Sequence, residues 1–295
     1  MIDFRHQTFL ALCKIKNYTR TAEYLNMTQP AVTQHIQYLE ENYNCKLFCY
    51  ENKKLKLTIQ GEELRELLIR IVADSTHFRR DIDNKDFYED SIIFGATLSI
   101  GEYIMPKVLT KLIQNKPGLN IHMEVSNTLV LLEKLKKGEI DFAIVEGIFD
   151  KSNYHSILFS SEKFIPICAT SSIYANNDVD FADILPSTLV LRESGSGTRE
   201  ILENILKQYN YSLNSFNNII EIGNMSVIKR LVTSNIGITF LYEVVARKEI
   251  ENSDLVKINI NGFDIKREFN FVFLKDSFFE NKYIKYFQMM KDAYE

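Results

Sequence analysis

The feature that most restricts the fold of this chain is a series of three short amphipathic segments within its first 42 residues. Apolar residues from Phe4 to Cys13 recur with a 3.6-residue period, which predicts a helix over residues 3–16 with Asp3 as its N-cap. A short second helix is predicted to follow, with Thr19 as its N-cap and a break at Asn26-Met27.

The third segment carries the clearest helix signals. Thr28 is a suitable N-cap, Pro30 occupies the first turn, where a missing N–H costs nothing, and Val32, Ile36 and Leu39 form an inward stripe to about Glu41. The opposite face is rich in short uncharged donors and acceptors, of the kind that read the edges of DNA bases; these are Gln29, Thr33, Gln34 and Gln37.

Two short strands are predicted beyond this helix, at 46–48 and 55–58, around the basic turn Glu51-Asn52-Lys53-Lys54. A basic hairpin beside such a helix is typical of a wing that lies along a phosphate backbone. The charge distribution agrees with contact between the head and a polyanion. Residues 1–60 hold eight basic and five acidic residues, a net charge of +3, whereas the remaining 27 basic and 34 acidic residues give −7.

This head resembles the LysR-type transcriptional regulators. The matching stretches are Thr19–Leu25, Thr28–Ile36, Leu39-Glu40, Leu47-Phe48 and Leu57–Gly61. Tyr50 stands where family members usually have arginine, and Ile59-Gln60 stand where they usually have small residues. The resemblance implies that Gln29, Pro30 and Thr33 face the DNA major groove and that the hairpin with Lys53 and Lys56 lies near the backbone.

We therefore expect DNA contacts from the second and third helices and from the hairpin. The predicted DNA-binding residues are Thr19, Arg20, Thr28, Gln29, Pro30, Thr33, Gln34, Gln37, Lys53, Lys54 and Lys56. Helix-turn-helix heads read two half-sites about one DNA turn apart, so a homodimer, or a homotetramer as in the family, is expected on double-stranded promoter DNA. The alternative for the head alone is a helical module that binds protein.

A long helix is predicted from Ile59 to about Lys85, because an apolar stripe from Leu64 to Phe78 continues without Gly or Pro after Gly61. In the family, this helix packs against its partner in the dimer. The charged segment Arg79–Asp86 is predicted to form an exposed hinge.

From residue 91 onward, strand and helix patterns alternate, which predicts α/β lobes with a mostly parallel sheet. The resemblance implies two such lobes, similar to periplasmic binding proteins and crossed by the chain more than once. The predicted domains are an all-α winged helix-turn-helix (1–58), a linker helix and hinge (59–90) and an effector-binding domain (91–295). We define lobe I as residues 91–163 and 265–295, and lobe II as residues 164–264.

Ligands of open α/β sheets bind at the carboxyl ends of strands, where helices begin. Four such turns stand out, at 96–101, 126–128, 192–199 and 223–226. Glycines, hydroxyls and helix N-termini suit an oxyanion, although the same residues also simply start helices. The predicted effector-binding residues are Thr97, Ser99, Asn127, Thr128, Ser194, Gly195, Ser196, Thr198, Arg199 and Asn224.

The effector is expected to be a small anionic metabolite. The stretch from Glu193 to Arg199 is similar to stretches in LysR-type regulators of sulfur assimilation and carbon fixation, whose effectors are small anions or anionic metabolites. Glu146, at the end of a predicted strand, would repel an anion unless it points outward or pairs with a cation. Activation versus repression and the identity of the effector stay open.

Enzyme, metal and cofactor functions are not predicted. Cys45 and Cys49 are four residues apart but have no neighbouring His or Cys to complete a zinc site, and Cys168 reads as strand core. The five histidines share no catalytic or metal spacing. No segment approaches the roughly 20 apolar residues of a membrane helix, and no signal peptide precedes the head, so the cytoplasm is expected. The alternative from another class is a cytoplasmic solute-binding or hydrolytic α/β protein with an incidental helical head.

Overall fold

The computed structural model describes residues 2–83 and 91–295 and divides the chain into two compact units. Unit 1 contains the N-terminal helices and hairpin together with 136–139 and 275–278, and unit 2 contains the rest of the α/β part. The last residues of the predicted hinge Arg79–Asp86, from 84 onward, lie outside the described residues.

Unit 1 begins with three helices: α1 (Phe4–Ile15), α2 (Tyr18–Tyr24) and α3 (Gln29–Asn42). The predicted caps Asp3 and Thr28 are confirmed, since Asp3 accepts a hydrogen bond from the amide of Arg5 and Thr28 from that of Ala31. The predicted cap Thr19 is wrong. Asn17 takes that role by accepting from the amide of Arg20, which places Thr19 inside the first turn of α2.

The predicted hairpin is confirmed, with its first strand starting two residues later than expected. Strands β1 (Phe48–Glu51) and β2 (Lys54–Leu57) pair antiparallel through a two-residue turn. Asn52 and Lys53 both have positive φ, at 49° and 61°, as a type I′ turn requires.

Helix α4 (Ile59–Asp83) is the predicted long helix, and its apolar side chains are partly buried and partly exposed. Leu64 and Leu68 are buried in the core of the head with Phe9, Leu12 and Ile36. Four apolar side chains of the same helix are exposed: Leu67, Ile71, Phe78 and Ile82.

Unit 2 holds the predicted alternation of strands and helices. Its helices are α5 (Leu98–Tyr103), α6 (Met105–Asn115), α7 (Thr128–Lys137), α8 (Gly197–Gln208), α9 (Met225–Thr233), α10 (Glu243–Glu251) and α11 (Glu280–Tyr294). Its strands are β3 (Ser91–Ala96), β4 (Asn120–Val125), β5 (Phe142–Val145), β6 (Tyr154–Ala169), β7 (Asp178–Val179), β8 (Thr188–Leu191), β9 (Asn218–Glu221), β10 (Thr239–Tyr242), β11 (Leu255–Lys257), β12 (Asn259–Ile260) and β13 (Ile265–Leu274). Short 3₁₀ turns occupy Phe181–Ile184 and Leu213–Ser215.

The main sheet of unit 2 is mixed, and the parallel pairing expected from the first alternation of strands and helices is confirmed in β3, β4 and β5. Its order is β10-β6-β13-β5-β3-β4, with β11 also paired to β6. β3 is parallel to β4 and β5, whereas β13 is antiparallel to both β5 and β6. β6 is a 16-residue strand whose first part pairs with β13 and whose last part, in lobe II, pairs with β10 and β11.

The core of unit 2 is strongly aromatic. Phe142 stacks between Phe94 and Phe271, with ring centroids 5.2 and 4.4 Å away. These rings lie on three neighbouring strands, so they hold β3, β5 and β13 together and fix where the carboxyl ends of β3 and β5 emerge. Within residues 2–83 and 91–295, no helix combines the length and apolar character that a membrane span requires.

Candidate functional site

The outward face of α3 is polar and accessible. Gln29, Gln34 and Gln37 are exposed and Thr33 is half-buried, while Val32, Ile36 and Leu39 anchor the opposite face in the head core. The Gln29 amide Nε2 donates to the Thr33 hydroxyl at 3.0 Å, and that hydroxyl donates to the Gln29 carbonyl at 3.1 Å. The hydrogen bonds therefore fix the uncharged side chains of Gln29 and Thr33 in one arrangement at the start of α3.

A basic groove lies beside this turn. The side chains that line it are Lys16, Asn17, Tyr18, Thr19, Gln29, Tyr50, Lys53, Lys54, Leu55 and Lys56. Lys56 pairs with Glu51, whereas Lys53 and Lys54 have no carboxylate partner among the described residues. Two unpaired lysines at a hairpin tip suit contact with phosphate.

The remaining predicted DNA-binding residues are also exposed. Thr19 and Arg20 are exposed in the first turn of α2, and Thr28 and Pro30 are exposed at the start of α3. Lys16, which ends α1 with a φ of 54°, also lines the groove, although the sequence patterns did not single it out. A residue at the C-cap of a core helix carries no local sign that it belongs to a basic surface.

In unit 2, the predicted effector turns meet at Glu146, the residue that follows β5. One carboxylate oxygen of Glu146, Oε1, accepts hydrogen bonds from the hydroxyls of Ser99 at 3.1 Å and Thr198 at 2.9 Å. The hydroxyl of Thr128 donates to the backbone carbonyl of Glu146 at 2.8 Å. Glu146 is only 1% exposed, so the first and third predicted turns converge on its buried carboxyl group and the second on its backbone carbonyl.

Burial disfavours the charged form of this carboxyl and raises the pKa of Glu146 to about 7. The hydroxyls of Thr198 and Ser99, the charge of Arg192 and the nearby hydroxyl of Tyr242 oppose this shift. Glu146 neither points outward nor pairs with a cation, the two arrangements that would keep it from repelling an anion. It is buried, and its hydrogen-bond donors are the neutral hydroxyls of Ser99 and Thr198.

Backbone packing brings the lobes close at this point. A Cβ atom on Gly197, the first residue of α8, would lie 2.6 Å from the carbonyl oxygen of Glu146. A Cβ atom on Gly147 would lie 2.8 Å from the Cα of Gly197. Both positions therefore require glycine for the N-terminus of α8 to approach the end of β5.

Among the described residues, four buried polar atoms at or near Glu146 have no hydrogen-bond partner. They are Thr97 Oγ1, Glu146 Oε2, Arg192 Nη1 and the Tyr242 hydroxyl. The Tyr242 hydroxyl is close enough to the Glu146 carboxyl for each group to shift the pKa of the other. Because buried polar groups are nearly always paired, this concentration marks a place where a ligand would complete the bonding.

The other predicted effector residues form no side-chain hydrogen bond to Glu146. Arg199 forms ion pairs with Glu203, at 2.8 Å, and with Glu221. Ser194 is exposed. The side chain of Asn127 accepts from the amide of Val130, and that of Asn224 from the amide of Val227, as helix starts do. Gly195 has a φ of 88°, and Ser196 is the buried N-cap of α8 without a side-chain capping bond.

Two residues of this centre were missing from the predicted set. Arg192 follows β8 and Tyr242 ends β10, so both sit at carboxyl ends of strands, the position that the sequence analysis used for the other turns. Arg192 holds Glu193 through Nε at 2.7 Å and Nη2 at 2.8 Å, which leaves Nη1 directed elsewhere. Their strand-end position was the available signal.

Metal-binding geometry is absent from the part of the chain that the structure describes: residues 2–83 and 91–295 contain no cluster of three or more His, Cys, Asp or Glu side chains that could hold an ion. The four cysteines are free thiols, and burial raises the pKa of Cys13 to about 12. A thiol with so high a pKa is a poor nucleophile at neutral pH.

Comparison with known proteins yields two family matches. Residues 5–62 match the bacterial regulatory helix-turn-helix protein family of the lysR type, and residues 88–293 match the LysR substrate binding domain. Among curated relatives, the transcriptional regulator CysL of Bacillus subtilis is 26% identical, over 90% of this chain and 89% of its own. The RuBisCO operon transcriptional regulator of Acidithiobacillus ferrooxidans is 26% identical, over 92% of this chain and 89% of its own.

Solved structures give the same fold. The OxyR protein of Corynebacterium glutamicum with bound hydrogen peroxide superposes with a TM-score of 0.62 at 19% identity, covering 99% of this chain and 92% of that one. The second family match alone spans more than half of the residues, and the first covers the head. The resemblance noted in the sequence is thereby confirmed, and the chain belongs to the LysR-type transcriptional regulators.

Proposed function

We propose that this chain binds promoter DNA sequence-specifically and is switched by a small anionic metabolite held between lobes I and II of unit 2. On this proposal the protein is a regulator and not an enzyme, and it works in the cytoplasm. The observation that carries the proposal is the convergence of Ser99 from lobe I and Thr198 from lobe II on one buried point beside Glu146. A ligand that touches both lobes can favour the closed state, because its affinity then differs between open and closed forms.

The proposed division of labour in the head follows from its two surfaces. Gln29, Thr33 and Gln34 read base edges from α3, while Lys53 and Lys54 hold phosphates from the hairpin. The support is their exposure, the absence of charge on the α3 face and the absence of acidic partners for both lysines among the described residues. Polar amides discriminate bases, whereas lysines act as sequence-independent charges.

The proposed oligomer is a homodimer, or a homotetramer built from dimers, that pairs through the exposed apolar side of α4. Leu67 is 41% and Ile71 38% exposed, and the two side chains lie about one helical turn apart in the middle of α4. Contiguous exposed apolar side chains on a helix are characteristic of a contact with another protein surface. Leu64 and Leu68 take no part in this pairing, because the head core already buries them.

Thermal-shift titration of the full chain with small anionic metabolites, followed by gel-shift assays on genomic fragments, tests the effector and DNA functions together. A ligand of the folded state raises the melting temperature by mass action. Thr97→Val and Thr198→Val each remove one hydroxyl and should weaken effector binding by about 1–3 kcal/mol. Thr110→Val is the matched control, because the exposed Thr110 hydroxyl only bonds the carbonyl of Pro106 on α6.

Unchanged effector affinity and promoter response in both Thr97→Val and Thr198→Val would contradict the proposed cleft. Failure to shift any genomic fragment would instead contradict the DNA function and favour a solute-binding or hydrolytic α/β protein. The two results concern different units of the chain, so either can fail alone.

A further inference from the structure

The hydroxyls expected to hold an effector oxyanion are already occupied by a carboxylate of the protein itself. Ser99 and Thr198 both donate to Glu146 Oε1, so a second carboxylate, sulfate or phosphate placed against these hydroxyls would meet a like charge at hydrogen-bond distance. The simplest anion site, two hydroxyls and a helix N-terminus, is therefore not what α5 and α8 offer.

The atoms left for a ligand are of two kinds. Glu146 Oε2 is buried and accepts no hydrogen bond, and in the ionised form it requires a donor. Arg192 Nη1 is buried and can only donate, so it requires an acceptor. The hydroxyls of Thr97 and Tyr242 can do either.

Arg192 and Glu146 also differ in how their charges are balanced. Arg192 is neutralised on one side by Glu193, through two hydrogen bonds, and still acts on the Glu146 carboxyl. Glu146 itself has only neutral donors. A ligand that brought negative charge alone would leave Glu146 Oε2 without a donor, and a ligand that brought positive charge alone would leave Arg192 Nη1 without an acceptor.

We infer that the cleft takes a small organic acid that also carries a hydrogen-bond donor, a hydroxyl or a protonated amine, with the donor on Glu146 Oε2 and an acid oxygen on Arg192 Nη1. This inference rests on the proposed effector cleft and names the class of ligand that suits it. Amino acids, hydroxy acids and their derivatives belong to this class, whereas sulfate and unsubstituted carboxylates do not.

Matched probe sets test the inference on the full-length protein. Succinate, malate and aspartate share one carbon skeleton and differ only in carrying no donor, a hydroxyl or an ammonium; propionate, lactate and alanine form a shorter set. Calorimetric affinities at pH 8 should be at least ten-fold higher for a donor-bearing member of one set than for its unsubstituted parent and for sulfate.

The variant Glu146→Gln sharpens the result. An amide keeps an oxygen for Ser99 and Thr198 but replaces the acceptor Oε2 by a donor, so the preference for the ammonium or hydroxyl member should disappear and the unsubstituted acid should gain affinity. Glu268→Gln, which removes a half-exposed carboxylate paired with Lys151, should leave the preference intact.

Other outcomes distinguish a wrong ligand class from a wrong cleft. If sulfate or the unsubstituted acids bind as tightly as their substituted counterparts, and Thr97→Val weakens that binding, the ligand class is wrong while the effector cleft stands. If the bound probe is indifferent to Thr97→Val and Glu146→Gln alike, the cleft itself is wrong. The absence of measurable binding by every donor-bearing probe at millimolar concentration also counts against the inference, because these probes contain both required groups.

Discussion

Thr198 donates a 2.9 Å hydrogen bond to Glu146 although 52 residues separate them in the chain. Glu146 belongs to lobe I and Thr198 to the first turn of α8 in lobe II, so a single carboxylate oxygen joins the two halves of the effector domain. Because Glu146 is buried, its protonation affects both the stability of the domain and the bonding across the lobes.

The stability of the effector domain should depend on pH through Glu146. Its pKa in the folded protein is about 7, above the ordinary 4.5, so between these values the folded chain keeps a proton that the unfolded chain has lost. Stability should then fall as pH rises from about 4.5 to about 7 and change little above, with a total effect of about 3 kcal/mol. In Glu146→Gln this fall should be missing, so the variant gains relative to the wild type from pH 5 to pH 8 in denaturant unfolding of the full chain. A parallel pH dependence in both proteins would show that burial does not raise the pKa of Glu146 in the folded chain.

Alanine at Gln29 should act differently from alanine at Lys53. Loss of a base-reading amide is expected to cost about 1–3 kcal/mol on the specific site and to relax sequence preference. Loss of a phosphate-binding lysine should weaken specific and random DNA alike and reduce the salt dependence of log K by about one. Fluorescence anisotropy at several salt concentrations measures both the affinity and its salt dependence. Equal effects of the two changes on specific and random DNA would contradict the proposal that α3 reads bases and the hairpin binds phosphate.

Charges at Leu67 and Ile71 should separate the protomers without unfolding them. The double variant Leu67→Glu, Ile71→Glu places two carboxylates on the exposed side of α4, so the protein should become monomeric in light scattering at micromolar concentration and lose DNA binding. Its circular dichroism should remain that of the folded chain. Leu68→Ala is the contrast, because it opens a cavity in the head core and should instead lower stability by about 2–5 kcal/mol. A wild-type protein that is itself monomeric at this concentration would contradict the proposed dimer.

Gly197→Ala should prevent the close approach of the lobes. The added methyl would lie 2.6 Å from the Glu146 carbonyl oxygen, which is backbone and cannot turn aside. We expect lower effector affinity and a domain that stays open in small-angle scattering with ligand present. Gly223→Ala is the matched control, since the nearest atom to its added methyl is 3.7 Å away, on the flexible side chain of Glu193. Equal behaviour of the two variants would show that α8 does not need to come this close.

Local signals predicted the head well. Thr28 and Pro30 begin α3 where expected because a cap and a first-turn proline act through neighbouring backbone atoms alone. The misplaced cap of α2 has an equally local reason: Asn17 and Thr19 are both good caps two residues apart, and only the extended backbone at Asn17 decides between them.

Long-range partners could not be predicted in the same way. No local pattern marks the start of β6 at Tyr154, because the first half of this strand gains its pairing from β13, more than 100 residues away. Arg199 appeared in the most distinctive motif, yet its partner Glu221 lies 22 residues further on. Glu146 and Tyr242 follow or end strands β5 and β10 and come together only in the folded domain, so the surroundings of neither residue were visible in the sequence.

Because Leu64 and Leu68 are buried in the head core, the N-terminal part of α4 is packed rigidly against the head. The 25 residues of α4 span roughly 37 Å at 1.5 Å per residue. A tilt of about 10° about one end would displace the other by roughly 6 Å, nearly twice the 3.4 Å rise between neighbouring bases along one strand. A small rotation of this helix is therefore large enough to change the register of a head on DNA. The distance between two paired heads then depends on the orientation of their α4 helices.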